Sequence, residues 1–146
     1  MAVEIRLLAP GDDAVLRAVA PGVFDNAIDP QLTAAFLRDP RHHLAVAIEN
    51  GQVVGFASGV HYLHPDKPAE LWVNEVGVAP THLRRGLGQA VLRRLLECGA
   101  ELGCRQAWVL TEPDNAGAMA LYASVGGAEV SPPPVMLEFA LGRFSR

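Results

Sequence analysis

Lysine is nearly absent from this chain: Lys67 stands alone beside eleven arginines, and no basic run is longer than Arg84-Arg85 or Arg93-Arg94. With a formal net charge of −4, that scarcity of clustered cations argues against a nucleic-acid partner and makes a cationic small molecule easier to accept than an anionic one. Cysteine is almost as scarce. Cys98 and Cys104 have no matching His/Cys cluster, and His42, His43, His61 and His64 lack ligand spacing, so neither a metal site nor a disulfide framework is expected. His64, in a loop, is at most a substrate contact. No apolar run approaches the roughly 20 residues of a membrane span. The opening MAVEIRLLAP has neither the basic start nor the apolar core of a signal peptide, so a cytoplasmic protein with no membrane partner is expected. Repeats and low-complexity stretches are also missing. Half of the 146 residues are hydrophobic, which suits one domain over residues 1–146 with a sizeable core.

What is present is organised around residues 73–96, VNEVGVAPTHLRRGLGQAVLRRLL. A β-branched strand breaks at Ala79-Pro80, passes through a short basic glycine loop and enters an amphipathic helix. That arrangement suits a phosphate, because the first N–H groups of a helix have no internal partner and its dipole is positive at that end. Gly86 and Gly88 let the backbone approach a ligand closely, and Arg84 and Arg85 add charge. The residues just after the loop disfavour two kinds of phosphate binder. A P-loop needs Lys and then Ser or Thr after its last glycine, where this chain has Gln89 and Ala90, and a dinucleotide fingerprint needs a third glycine where Val91 stands.

Along the rest of the chain, residues 3–8 alternate as a first strand that stops at Pro10-Gly11. Asp12 or Asp13 caps a short helix through Val19. Asp29-Pro30 starts a second one carrying Leu32, Phe36 and Leu37, closed by Pro40. These two helices form a lip over one edge of a sheet. Residues 43–49 and 52–62 are strands joined by Asn50-Gly51, a strong hairpin signal. A turn at residues 64–68 returns the chain into the organising strand, residues 69–78. The main helix, about residues 87–102, lines up Leu87, Val91, Leu95, Cys98 and Leu102 on one stripe and ends at Gly103. Residues 105–111 form a parallel strand, apolar on both sides as if covered on both faces, reached by a right-handed crossover. A short helix over residues 115–125 ends at Gly126-Gly127. Residues 128–130 and 135–141, broken by three prolines, form a final hairpin. The expected fold is α+β in three αβα layers: a mixed, mostly antiparallel sheet with one central parallel pair.

The basic loop with Gly86-Leu87-Gly88 after a strand containing Gly77, followed by Asn115 and then Leu121-Tyr122 in a helix ending at Gly126, resembles the GNAT superfamily of N-acetyltransferases. The likeness covers nearly the whole chain. It implies acetyl-coenzyme A as cosubstrate. It also implies that the backbone of Val76, Gly77 and Val78 pairs with the pantetheine arm, that Arg84, Arg85, Gly86, Leu87, Gly88 and Gln89 hold the pyrophosphate, and that Asn115 and Tyr122 lie near the thioester. Leu83 departs from the family's usual Gln or Arg.

Tyr122 suits protonation of the leaving thiolate, because a phenol with a reference pKa of about 10 is neutral at working pH and close to a thiol's roughly 8.5. Gly77 suggests a bulge that would free an N–H near Val76 for a developing oxyanion. Two acids compete as the base. Glu75 stands on the organising strand and Glu112 ends the next one; an acid in an apolar strand is costly if buried unpaired, which favours a role for Glu75. The layout further resembles the short aminoglycoside 3-N-acetyltransferases, with Asp25, Glu70, Glu75, Glu112 and Asp114 as receivers of ammonium groups. Other readings are acetylation of a peptide amine or another small amine, a non-catalytic acyl-coenzyme A sensor, and a nucleotide-binding α/β domain. Whether two chains pair through their final strands as a homodimer is left open.

Overall fold

A computed structural model describes residues 2–142. Five strands form one sheet in chain order: β1 (Glu4–Leu7), β2 (His42–Glu49), β3 (Gln52–Tyr62), β4 (Glu70–Val78) and β5 (Gln106–Val109). The first four pair antiparallel, and β5 joins β4 in parallel after a crossover through α2 (Leu87–Glu101). The hairpin between β2 and β3 closes as its sequence dictates. Asn50 and Gly51 both take positive φ, 53° and 73°, the left-handed pair that a two-residue turn between twisted strands needs.

Two helical layers sandwich the sheet. A Cβ at Gly59 on β3 would lie 2.8 Å from the Trp72 carbonyl oxygen and 3.3 Å from Leu95 of α2, and one at Gly99 of α2 would lie 2.9 Å from Leu71 of β4. Leu87, Val91, Leu95 and Cys98 are buried against that face, whereas Leu102, expected on the same stripe, caps the helix and is 47% exposed. On the opposite face, Phe56 stacks on Phe24 at 4.1 Å between ring centroids, below α1 (Pro30–Arg38). Asp29 caps α1 as expected, its carboxylate accepting from the N–H groups of Gln31 (2.8 Å) and Leu32 (2.9 Å). The earlier helix is a 3-10 helix, Asp12–Arg17, with no side-chain cap; Asp12 instead accepts from the Ala9 N–H at 2.8 Å. Ala20 and Ala18 bond Val53 from either side and tie this lip to the start of β3.

Three further expectations need correction. The bulge of β4 lies at Asn74 and not at Gly77: the register steps from Gly59↔Val73 to Ser58↔Glu75 and skips Asn74. Gly77 serves close approach instead, since a Cβ there would sit 2.5 Å from the Val23 carbonyl oxygen and 2.7 Å from the Phe56 ring. β5 is shorter than expected and is not covered on both faces; Ala107 is exposed and Trp108 and Val109 are half-buried. The final hairpin does not form: after α3 (Ala116–Ser124) no described residue belongs to a strand.

Candidate functional site

β4 and β5 stay together only from Glu70↔Gln106 to Val73↔Val109. There β5 ends, while β4 runs on to Val78 with β3 along one edge and no β5 residue along the other. The bulged Asn74 stands where the two strands part, so one extra residue in β4 bends that strand away from its neighbour. The far end of the resulting fork is closed by α2. Its first residue follows Gly86, which takes a left-handed φ of 76° and offers no side-chain cap. The first N–H groups of the helix therefore point out uncapped, with the positive end of the dipole behind them. A Cβ added at Gly86 would meet nothing within 4 Å, so the space in front of the helix start is open. One added at Gly88 would lie 3.5 Å from Leu121 and 3.6 Å from Val78, which brings the first turn of α2, the end of β4 and α3 to one point.

Tyr122 follows Leu121 on α3. It is half-buried, and burial raises its phenol above the usual range, so it stays a neutral proton donor at any working pH. Asn115 caps α3, its side-chain oxygen accepting from the Ala118 N–H at 3.1 Å. The oxygen is thereby committed to the helix, and the amide NH2 is the part that can serve a ligand.

The glycine loop is pinned by a residue that sequence reading missed. The Glu49 carboxylate accepts from the Arg85 guanidinium at 2.7 Å and bonds His82 Nε2 at 2.8 Å. Arg85, and then His82, lower its pKa to about 2. Arg85 is consequently a positioning group whose charge is answered within the protein. Arg84 is held at φ 63° and is exposed. Leu83 is 57% exposed.

The expected acids separate into three places. Asp25 and Glu75 come together in a cleft of about 330 Å³ on the α1 side of the sheet, lined also by Phe24, Phe56, Ser58 and Asn74. A neighbouring cleft of about 660 Å³ shares Phe24, Asp25 and Asn26, so the two form one groove under the lip. Glu75 is exposed there, and the burial argument that favoured it does not apply; its position beside the bulge does. Glu70 is tied into an aromatic cluster, accepting from the Tyr62 hydroxyl at 3.0 Å, which in turn accepts from Trp108 Nε1 at 2.7 Å. Trp108 stacks on Trp72 at 5.2 Å, and His64 lies 3.9 Å from Glu70. Glu112 and Asp114 are exposed in the turn before α3, outside the groove. Among the described residues no three His, Cys, Asp or Glu side chains are grouped to hold a metal ion, and no helix is long and apolar enough to cross a membrane.

Residues 15–126 match the model of the acetyltransferase (GNAT) family. An L-2,4-diaminobutyric acid acetyltransferase of Nocardia farcinica is 32% identical over 131 residues, covering 86% of this chain and 66% of its own length. The N-alpha-acetyltransferase RimI of Mycobacterium tuberculosis is 41% identical over 101 residues, covering 67% of this chain and 61% of its own. The chain thus spans somewhat less than two thirds of the length of these relatives. A crystal structure of an aminoglycoside acetyltransferase from an uncultured soil metagenomic sample superposes with a TM-score of 0.79 at 21% identity, over 97% of this chain and 100% of that one, a likeness of fold.

Proposed function

Because the chain belongs to the GNAT acetyltransferase family, we propose that it moves the acetyl group of acetyl-coenzyme A to a primary amine of a small cationic acceptor. The observation that carries this reading is the fork between β4 and β5, closed by an uncapped helix start. Main-chain N–H groups from Arg85 to Gln89 suit a diphosphate, with Arg84 beside them. The unpaired edge of β4 at Val76, Gly77 and Val78 suits the amide groups of a pantetheine arm, because a strand edge offers the N–H and C=O spacing that such an arm matches. When bound, the coenzyme supplies the activated acetyl group as a thioester.

The chain's own residues supply the rest. The acceptor enters by the groove under the lip, where Asp25 and Glu75 attract an ammonium group. An ammonium is not a nucleophile, so Glu75, directly or through a water, removes its proton; Glu112 is the alternative base. Tyr122 holds a proton for the departing sulfur. A backbone N–H beside Asn74, freed from the ladder by the bulge, is placed to stabilise negative charge on the carbonyl oxygen.

For the acceptor we propose an aminoglycoside, whose ammonium groups suit the two carboxylates, Asp25 and Glu75, that meet in the groove. A second reading is a diamino acid or a peptide amine, which the two curated relatives favour. The test is a panel of aminoglycosides, diamino acids and peptide amines with acetyl-coenzyme A, read by release of free thiol and by product mass. An aminoglycoside mono-acetylated well above the other amines supports the first reading; turnover confined to the other amines removes it. No thiol release with any amine removes the transferase reading itself.

A further inference from the structure

The sheet face beneath α1 continues past the groove. Cross-strand partners share a face, so the strand register sorts its side chains into rows. Leu44, Ser58 and Glu75 form one row, and all three line the groove. His42, Val60, Trp72 and Trp108 form the next, with His42 edge-on against Phe36 of α1. Tyr62 and Glu70 form the one after. Two residues of strand, about 7 Å, separate one row from the next. α1 packs over the β2 end of these rows, while at the other end Trp72 and Trp108 stay only half-buried. The two indoles are held in place. They stack at 5.2 Å between centroids with 10° between planes, and Trp108 Nε1 reaches across β4 to donate to the Tyr62 hydroxyl at 2.7 Å. Because Tyr62 belongs to the Glu70 row, Trp108 lies on the Glu70 side of Trp72, and the other face of Trp72 is turned towards Glu75. Tyr62 in turn donates to Glu70 Oε1. Glu70 Oε2 is not answered in the same way: among the described residues no lysine or arginine pairs with it, and His64 Nε2, itself without a hydrogen-bond partner, stands 3.9 Å off.

We propose that Trp72, backed by Trp108 and Glu70, is a second cation subsite for the acceptor. The reacting amine meets Asp25 and Glu75 in the groove, and a second ammonium, about one row or 7 Å further along β4, lies on the indole of Trp72. This rests on the acceptor groove proposed above and states what it selects: a dication over a monocation of the same length. Three properties of the cluster suit that ligand. The electron-rich face of an indole attracts an ammonium better than any other aromatic side chain does. Stacking on Trp108 already fixes the ring, so little side-chain freedom is lost when a ligand settles on it. The Glu70 carboxylate, one row behind, adds attraction that no lysine or arginine of the described chain cancels. Packing alone accounts for two stacked indoles, but not for a carboxylate set among them without a cation.

Trp72 and Trp108 are the two tryptophans of the chain, so their fluorescence reads the subsite without any acetyl transfer. The full chain is titrated with 1,5-diaminopentane and with 1-aminopentane at constant ionic strength, followed by emission and by calorimetry. The diamine is expected to bind at least about tenfold more tightly than the monoamine and to change the emission. Trp72→Leu is expected to bring the diamine down to the monoamine's affinity and to leave the monoamine where it was. If that variant does not fold, Glu70→Gln, which keeps an acceptor for Tyr62, is expected to reduce the diamine preference by about threefold or more. Equal affinities, no binding of the diamine at about 10 mM, or diamine binding that leaves the emission unchanged overturns the proposal. So does a preference that survives whole in the folded variant. Thiol release from acetyl-coenzyme A without a diamine preference removes this subsite and leaves the transferase; a diamine preference without thiol release does the reverse.

Discussion

The β2–β3 hairpin and the segment from β5 to the tail are built from the same kinds of residue and end in opposite states. Leu44, Ala45, Val46, Ala47, Val53, Val54, Phe56 and Ala57 in the hairpin are all buried, because β1 and β4 flank it and helical layers lie on both faces. Ala107-Trp108-Val109-Leu110 is as apolar a run, yet none of it is buried: among the described residues β5 has a neighbouring strand on one side only. Apolar character sets what a strand can bury, and its neighbours decide whether it does. The packed part of the molecule stands on its own core, while the part that carries Tyr122 and Asn115 is left open.

The sharpest way to break this contrast is to truncate equal side chains in the two regions. Leu95→Ala, at a position with no exposure against Gly59, is expected to cost about 2–5 kcal/mol of unfolding free energy. Leu110→Ala, 43% exposed, is expected to cost less than about 1 kcal/mol. Comparable losses in a denaturant titration would mean that the open segment is packed after all. A chemical contrast comes next. Tyr122→Phe keeps the ring and removes the proton, so turnover is expected to fall about 100-fold, with coenzyme affinity and melting temperature unchanged. Unchanged turnover removes the acid role of Tyr122.

The smallest expected effects are in pH dependence, and both belong to the packed side. His43 is buried and bonds His61 at 2.7 Å; burial first, and the charge of His61 second, lower its pKa from 6.5 to about 4. Below 6.5 the unfolded chain takes up a proton that the native His43 refuses. Its contribution is therefore whole above pH 6.5 and is lost as pH falls through 4. Glu49 acts in a lower window. Its depressed carboxylate adds stability that is complete above pH 4.5 and disappears as pH falls towards 2. Denaturant midpoints across pH are expected to lose the lower step in Glu49→Gln and keep the upper one. Retention of the lower step in that variant would detach it from Glu49.

What could be read from sequence divides along the same line. Asn50-Gly51, Asp29-Pro30 and Gly86-Leu87-Gly88 are local signals, since each constrains its own backbone, and each stands where it was expected. The likeness to the GNAT family, read from that loop and from Asn115, Leu121 and Tyr122, agrees with the family match. Features that depend on a distant partner were misread or missed. Gly77 looked like a bulge because a glycine in a strand often marks one, but the bulge is Asn74, which needs no special residue type; Gly77 yields to a carbonyl at Val23, far off in sequence. Glu49 meets Arg85 across 36 positions, and no local pattern announces it. The tail's alternation points to a final hairpin, but no described residue after α3 belongs to a strand: alternation names an apolar face and supplies no neighbouring strand.

The most direct test of the coenzyme site compares two ligands by calorimetry. Coenzyme A carries the diphosphate and pantetheine lacks it, so if main-chain donors at the start of α2 hold that group, coenzyme A should bind at least about 100-fold more tightly. Equal affinities, or no heat from coenzyme A at millimolar concentration, would contradict a diphosphate site at Gly86 to Gln89.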